Sequence, residues 1–207
     1  MLDYLPIVAA AFGIPQYLPQ ILKLRLTQDT AGLSWPWAAL TSLNNAAWLA
    51  YFLLSHYWTA SIPSSAAATL AGTVAVMLAR RGLVTTRAAI LVGGWAVLLV
   101  TSYAVAGRAG LGTLLAAASI IQVTPSIWTA YRTARPTGIS RGTWLLLLGE
   151  LSCWTVFGLY QSDARLISLG ITGVIASLLM LARILLVTRA ERRVRSARPE
   201  ELDSLRT

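Results

Sequence analysis

The sequence predicts an all-α membrane protein of seven transmembrane helices, arranged as two parallel three-helix bundles around one linker helix, with the N-terminus outside and the C-terminus inside. Three observations carry that expectation: charge-free stretches of membrane-crossing length, basic residues gathered on one side, and an internal copy displaced by 106 residues. The chain has 207 residues, 56% of them hydrophobic and 12% charged, about half the charged share of an ordinary soluble domain.

Residues 5–22, 33–55, 57–79, 88–107 and 109–131 contain no Asp, Glu, Lys or Arg, and a helix needs roughly 20 mostly apolar residues to cross a bilayer. Residues 142–162 qualify with one interruption, Glu150, and residues 166–188 with another, Arg183. The opening MLDYLPIV carries an acid where a cleaved signal peptide has basic residues, so the first stretch is read as a retained helix. With the N-terminus outside, the inner loops receive Lys23 and Arg25, then Arg80, Arg81 and Arg87, then Arg132, Arg135 and Arg141, and finally the arginines from Arg183 to Arg206. Only Arg108 and Arg165 remain for the outer side, a strongly positive-inside pattern. The net charge of +9 therefore points to a membrane and not to nucleic acid.

The copy appears when the sequence is slid by 106 residues. Gln16 then falls on Gln122, Pro19 on Pro125, Gly32 on Gly138, Ser34 on Ser140 and Trp48 on Trp154. The expected units are residues 1–85, a first triple-helix repeat; residues 86–107, a linker helix; residues 108–188, a second triple-helix repeat; and residues 189–207, a tail that begins basic and turns acidic. Three helices plus a linker make four crossings, so the second copy starts on the side where the first did. In carriers built from parallel repeats the solute site lies between the repeats near the membrane midplane. The linker, with Gly93, Gly94 and Trp95 among Val, Leu and Ala, shows no polar cluster and is expected only to restore orientation.

Little enzyme chemistry is available. Cys153 is the only cysteine and His56 the only histidine, which argues against disulfide frameworks and Cys- or His-based metal sites. Neither a metal nor a cofactor is expected, and the chain is not expected to be an enzyme. Within the spans, prolines remove a backbone hydrogen bond and kink the helix, so Pro19, Pro125 and Pro36 are candidate hinges. Gly142 stands where the copy would repeat Pro36. Asn44 precedes Trp48 by one turn and Glu150 precedes Trp154 likewise, which puts each pair on one helix face. Glu150 is the only acid inside a predicted span, and such residues usually face a pathway or a partner.

The segment PQYLPQILKLRLTQDTAGLSW resembles a PQ-loop repeat, with its motif at Pro19 and Gln20, and TPSIWTAYRTARPTGIS resembles a second, degenerate copy at Pro125 and Ser126. The three-one-three layout and WTVFGLYQSDARLISLG resemble the SWEET sugar transporters and their half-size bacterial relatives. The resemblance implies a carrier of a small polar solute, a mono- or disaccharide foremost, working by alternating access with proline hinges. It implies that Trp48 and Trp154 pack on the solute, and that the residues about 16 places later, Ser64 and Gly170, line the pocket where SWEET proteins have asparagine. The remaining tryptophans, Trp35, Trp37, Trp58, Trp95, Trp128 and Trp144, are read mostly as interfacial belt residues.

Three roles stay open for Glu150: hydrogen bonding to solute hydroxyls, binding and releasing a proton, or pairing with Asn44, Asn45 or Gln122. Two alternatives to a sugar carrier stay open as well, a proton-coupled carrier of amino acids or another small metabolite using Glu150, and a non-transporting receptor or assembly factor. The expected partners are the solute and the lipid bilayer. Small residues in TLAGTVA offer a surface for homo-oligomer contact or for packing within one bundle. One Lys against sixteen Arg points to a GC-rich coding sequence, and with short loops to the inner membrane of a bacterium.

Overall fold

The computed structural model describes residues 2–26, 30, 34–132 and 140–197. At residues 19, 20, 23, 125, 126, 129 and 190–197 it describes the backbone alone. Gly32, Gly138, Arg135 and the tail beyond residue 197, all used in the sequence reading, lie outside the described residues. A short 3-10 turn, Leu2–Tyr4, leads into α1 (Leu5–Gly13), a second 3-10 turn (Ile14–Gln16) and α2 (Leu18–Leu26). Then follow α3 (Trp35–Leu54), α4 (Trp58–Ala79), α5 (Thr86–Arg132), α6 (Arg141–Tyr160) and α7 (Ala164–Ala197). No strand occurs among the described residues.

Among the described residues, four segments are long and apolar enough to cross a membrane: Trp58–Ala79, Thr86–Thr124, Arg141–Tyr160 and Ala164–Arg189. The surface supports the same reading, because Ile90, Val97, Val100, Val105 and Ile121 all point outward and exposed. Water penalises an apolar surface of this extent, and hydrocarbon accepts it.

The first predicted span is broken in the middle. Pro15 has no N–H to donate and its ring crowds the carbonyl four residues back, so α1 ends at Gly13 and the chain tightens into a 3-10 turn that Tyr17 closes by donating to Ile14 (3.1 Å). Pro19 falls in the first turn of α2, where helices leave backbone donors free in any case. The break therefore sits at Pro15, four residues before the proline the sequence nominates. Pro36 and Gly142 occupy the first turns of α3 and α6, and so bend neither helix. Pro125 lies within α5, whose one non-helical residue is Gly107.

Gly107 has φ 58° and ψ −150°, a backbone region that is essentially confined to glycine. There α5 turns back on itself. A Cβ on Gly110 would strike the carbonyl of Ser102, although eight residues span ~12 Å in a straight helix. The part after Gly107 lies along α7, held by Arg165 Nε to the Ala109 carbonyl (3.3 Å), the Tyr131 hydroxyl to Leu179 (2.9 Å) and Arg183 Nε to Ala130 (3.0 Å).

The packing has a repeated form. Helix α4 packs on both α1 and α3, and α7 packs on both α5 and α6; the two groups meet where α1 touches α6 and where α3 touches α5. Each meeting has a glycine that admits an aromatic ring: Phe12 lies where a Cβ on Gly149 would be, and Tyr51 where a Cβ on Gly112 would be. Local details recur 106 residues apart. Ser34 caps α3 by accepting from Trp37 N, and Ser140 caps α6 by accepting from Thr143 N. After α3 and after α6, His56 (φ 59°) and Ser162 (φ 53°) adopt the left-handed conformation. The next residues, Tyr57 and Asp163, donate back to Phe52 and Gly158, each at 2.9 Å.

Candidate functional site

A cavity of about 650 Å³ lies between the two helix groups, within the size range of small-molecule sites. It reaches Trp37 in the first turn of α3 and Thr143 and Trp144 in the first turn of α6. It stops at least a turn short of the opposite ends of α1, α4, α5 and α7. One end of the bundle, where α3 and α6 begin, thus gives access, and the other is sealed.

The seal is aromatic. Phe52 stacks on Trp154 with centroids 5.3 Å apart and planes 3° apart, and on Trp48 at 5.5 Å and 23°. Trp48 and Trp154 are 9% and 6% exposed, and both line the cavity. The resemblance implies that these indoles pack on a solute; in this conformation the ring between them is Phe52. Behind the stack, Tyr51 donates to Asp163, and Tyr57 donates to the same carboxylate at 3.4 Å. Asp163 also caps α7 through Arg165 N (3.0 Å) and pairs with the Arg165 guanidinium at 4.0 Å. Burial, reinforced by Asp163 and opposed by Arg108 and Arg165, pushes the Tyr57 hydroxyl above its ordinary range.

Seven of the residues nominated from sequence face the cavity: Asn44, Asn45, Trp48, Ser64, Gln122, Glu150 and Trp154. Gly170 does not. A Cβ there would run into Thr155, so Gly170 lets α7 press against α6, while Thr172 and Gly173 supply the cavity wall. The PQ-motif residues Pro19, Gln20, Pro125 and Ser126 have helical backbones, and their side chains lie outside the described residues.

Glu150 meets neither Asn44, Asn45 nor Gln122 in a hydrogen bond. Its partners are Gln16, whose Nε2 donates to Oε2 at 3.1 Å and also reaches the Phe12 carbonyl at 3.3 Å, and the Trp154 indole. The carboxylate lies flat on Gly13, where a Cβ would be 2.7–2.9 Å from its atoms. The break in the first span makes this geometry: the 3-10 turn aims Gln16 inward, and glycine just before it leaves the space. Gln16 was visible in the sequence as the repeat mate of Gln122, and it was passed over in favour of the later Pro-Gln pair.

Two further residues escaped the sequence reading. Trp95, read there as a belt residue, donates its indole N–H to Asn44 Oδ1 at 2.7 Å, so the linker segment reaches the cavity wall. Pro63 lies inside α4, is buried and faces the cavity beside Ser64. Trp37 and Trp144, also read as belt residues, line the open mouth.

Comparison with protein families decides what kind of wall this is, since residues 1–61 match the model described as the PQ loop repeat. The first 61 residues are similar to a PQ-loop repeat. The match takes in Gly13, Gln16, Asn44, Asn45, Trp48 and Phe52. Glu150 and Trp154, on the facing wall, come from beyond it. No curated protein and no solved structure matches the chain. The PQ-loop repeat and the apolar helices together describe a membrane protein.

Proposed function

We propose that this PQ-loop protein is a carrier that moves a small polar solute across a membrane by alternating access. The two working units are α1 to α4 and the second part of α5 to α7, joined by the first part of α5 as a linker in a three-one-three layout. The observation that carries the reading is the cavity between the two units, polar on several sides, open at one end and sealed by stacked rings at the other. The repeated caps and left-handed turns support two related units, and the length of Thr86–Thr124, near twice one crossing, supports two passes there.

The open end is the one where Arg80, Arg81, Arg132 and Arg141 gather, which supports an inward-facing state with the N-terminus outside and the C-terminus in the cytoplasm. The likeness to SWEET proteins supports a sugar as solute, with transport and not catalysis as the activity, and one Lys against sixteen Arg supports a bacterial inner membrane as location. A second reading, coupling to protons, is favoured by one observation: Glu150 faces the cavity with neutral groups, the Gln16 amide and the Trp154 indole, as its hydrogen-bond partners.

The test is counterflow in liposomes of labelled glucose, sucrose and small amino acids, with and without an imposed pH gradient. Exchange indifferent to the gradient is the expected result for a facilitator. Uptake driven by the gradient and lost in Glu150→Gln would establish coupling. A stoichiometric protein partner recovered with no flux of any solute would replace transport by a receptor or assembly role.

A further inference from the structure

We infer that the solute selected by this cavity carries an ammonium group, which pairs with the Glu150 carboxylate beside the aromatic wall of Trp48, Phe52 and Trp154. The inference rests on the carrier reading and deepens it. Among the described residues lining the cavity, Glu150 is the one acid, and none is Lys, Arg or His. Asp163, a buried acid, has Arg165 beside it at the sealed end. Glu150 has Gln16 and the Trp154 indole, neutral donors that occupy two of the roughly four acceptor positions of a carboxylate.

A charge away from water needs a counter-charge or extensive hydrogen bonding. Here the protein supplies the charge and the space in front of it and leaves the counter-charge to the occupant. Gly13 contributes by leaving no side chain between the carboxylate and α1. Trp154 lies one turn from Glu150 on the same face of α6, which sets the aromatic wall beside the carboxylate.

The rest of the wall addresses the rest of the solute. Trp95 holds the Asn44 oxygen, so the amide nitrogen is what Asn44 has left to offer, a donor for a hydroxyl or carbonyl. Ser64, Thr172 and Gln122 add hydroxyl and amide groups. An amino sugar, a small hydroxylated amine or an amino acid has that combination; a neutral sugar satisfies the polar groups and leaves Glu150 without its partner.

The test uses the full chain in phosphatidylethanolamine/phosphatidylglycerol vesicles. Counterflow of labelled glucosamine, lysine and choline is compared with that of glucose and sucrose. Ammonium-bearing solutes are expected to exchange, with glucosamine faster than glucose, and Glu150→Gln is expected to slow them at least about tenfold, the scale of a charge-assisted hydrogen bond. Glu150→Asp should recover part of the rate. Because Glu150→Gln can also impair folding, competition on the unaltered protein gives an independent reading: unlabelled glucosamine should block labelled amine exchange and equimolar glucose should not.

Glucose exchange equal to glucosamine exchange would overturn the inference and leave the carrier intact. So would proton-driven uptake of neutral solutes that disappears in Glu150→Gln, since the carboxylate's partner is then a proton. Flux of none of the five would overturn the carrier reading and this inference with it.

Discussion

The close approach of Glu150 to Gly13 makes a sharp prediction. An alanine at residue 13 would put its Cβ 2.7–2.9 Å from the carboxylate, so Glu150 must move and its bond to Gln16 must open. Gly13→Ala is expected to cost no more than about 1 kcal/mol, because the displaced atoms are the far end of a flexible side chain, and to lower flux as well. Thermal melting of the purified protein reads the first effect. Adding Glu150→Ala removes the clashing group, so the double variant should melt above the sum of the two single losses; simple additivity would show that the two residues do not meet. At the sealed end, Tyr51→Phe removes one of the donors to the buried Asp163 carboxylate and should destabilise by about 1–3 kcal/mol. An unchanged melting temperature would mean that Arg165 and Tyr57 already satisfy Asp163.

Among the elements, the recurrence of the same caps and turns 106 residues apart gives paired expectations. His56 and Ser162 hold positive φ, a conformation costing L-residues roughly 1–2 kcal/mol that glycine adopts freely. His56→Gly and Ser162→Gly should each raise stability by up to ~1 kcal/mol after glycine's own entropy loss, and the corresponding alanines should not. Ser34→Ala and Ser140→Ala should each lower it by about 1 kcal/mol, the usual worth of an N-cap, and a melting series on the four positions checks both pairs. The caps belong to what the sequence reveals, because Ser34 and Ser140 fall in register when the chain is slid along itself. The broken first helix was harder to read. Three prolines, Pro6, Pro15 and Pro19, crowd that span, and which one breaks it depends on which falls in a first turn. Pro15 has a full turn of α1 before it and breaks the helix; Pro19 then begins the next one.

For the whole molecule, the charge pattern and the repeat spacing were enough to anticipate a helical membrane bundle and seven of the residues in the cavity wall. Gly170 was misplaced because counting along a helix gives a position but not its rotation against α6. Phe52 was missed as the ring between the two tryptophans because stacking across α3 and α6 has no trace in either helix alone. The same seam fixes how access should alternate. If the end bearing Arg80, Arg81 and Arg141 is cytoplasmic and open, a single cysteine at Gly82, on a Cys153→Ser background, should react with a membrane-impermeant maleimide added from inside, and one at Arg108 only from outside. A cysteine replacing Trp37, at the mouth, should react from inside in the resting state, and labelling should stop flux by filling the path. One replacing Tyr51, behind the stacked rings, should stay unreactive from both sides until a transported solute is present, since only opening of the Trp48, Phe52 and Trp154 stack exposes it. Reaction of position 51 from outside in the absence of solute would mean the aromatic stack is not the barrier and that the seal lies elsewhere in the bundle.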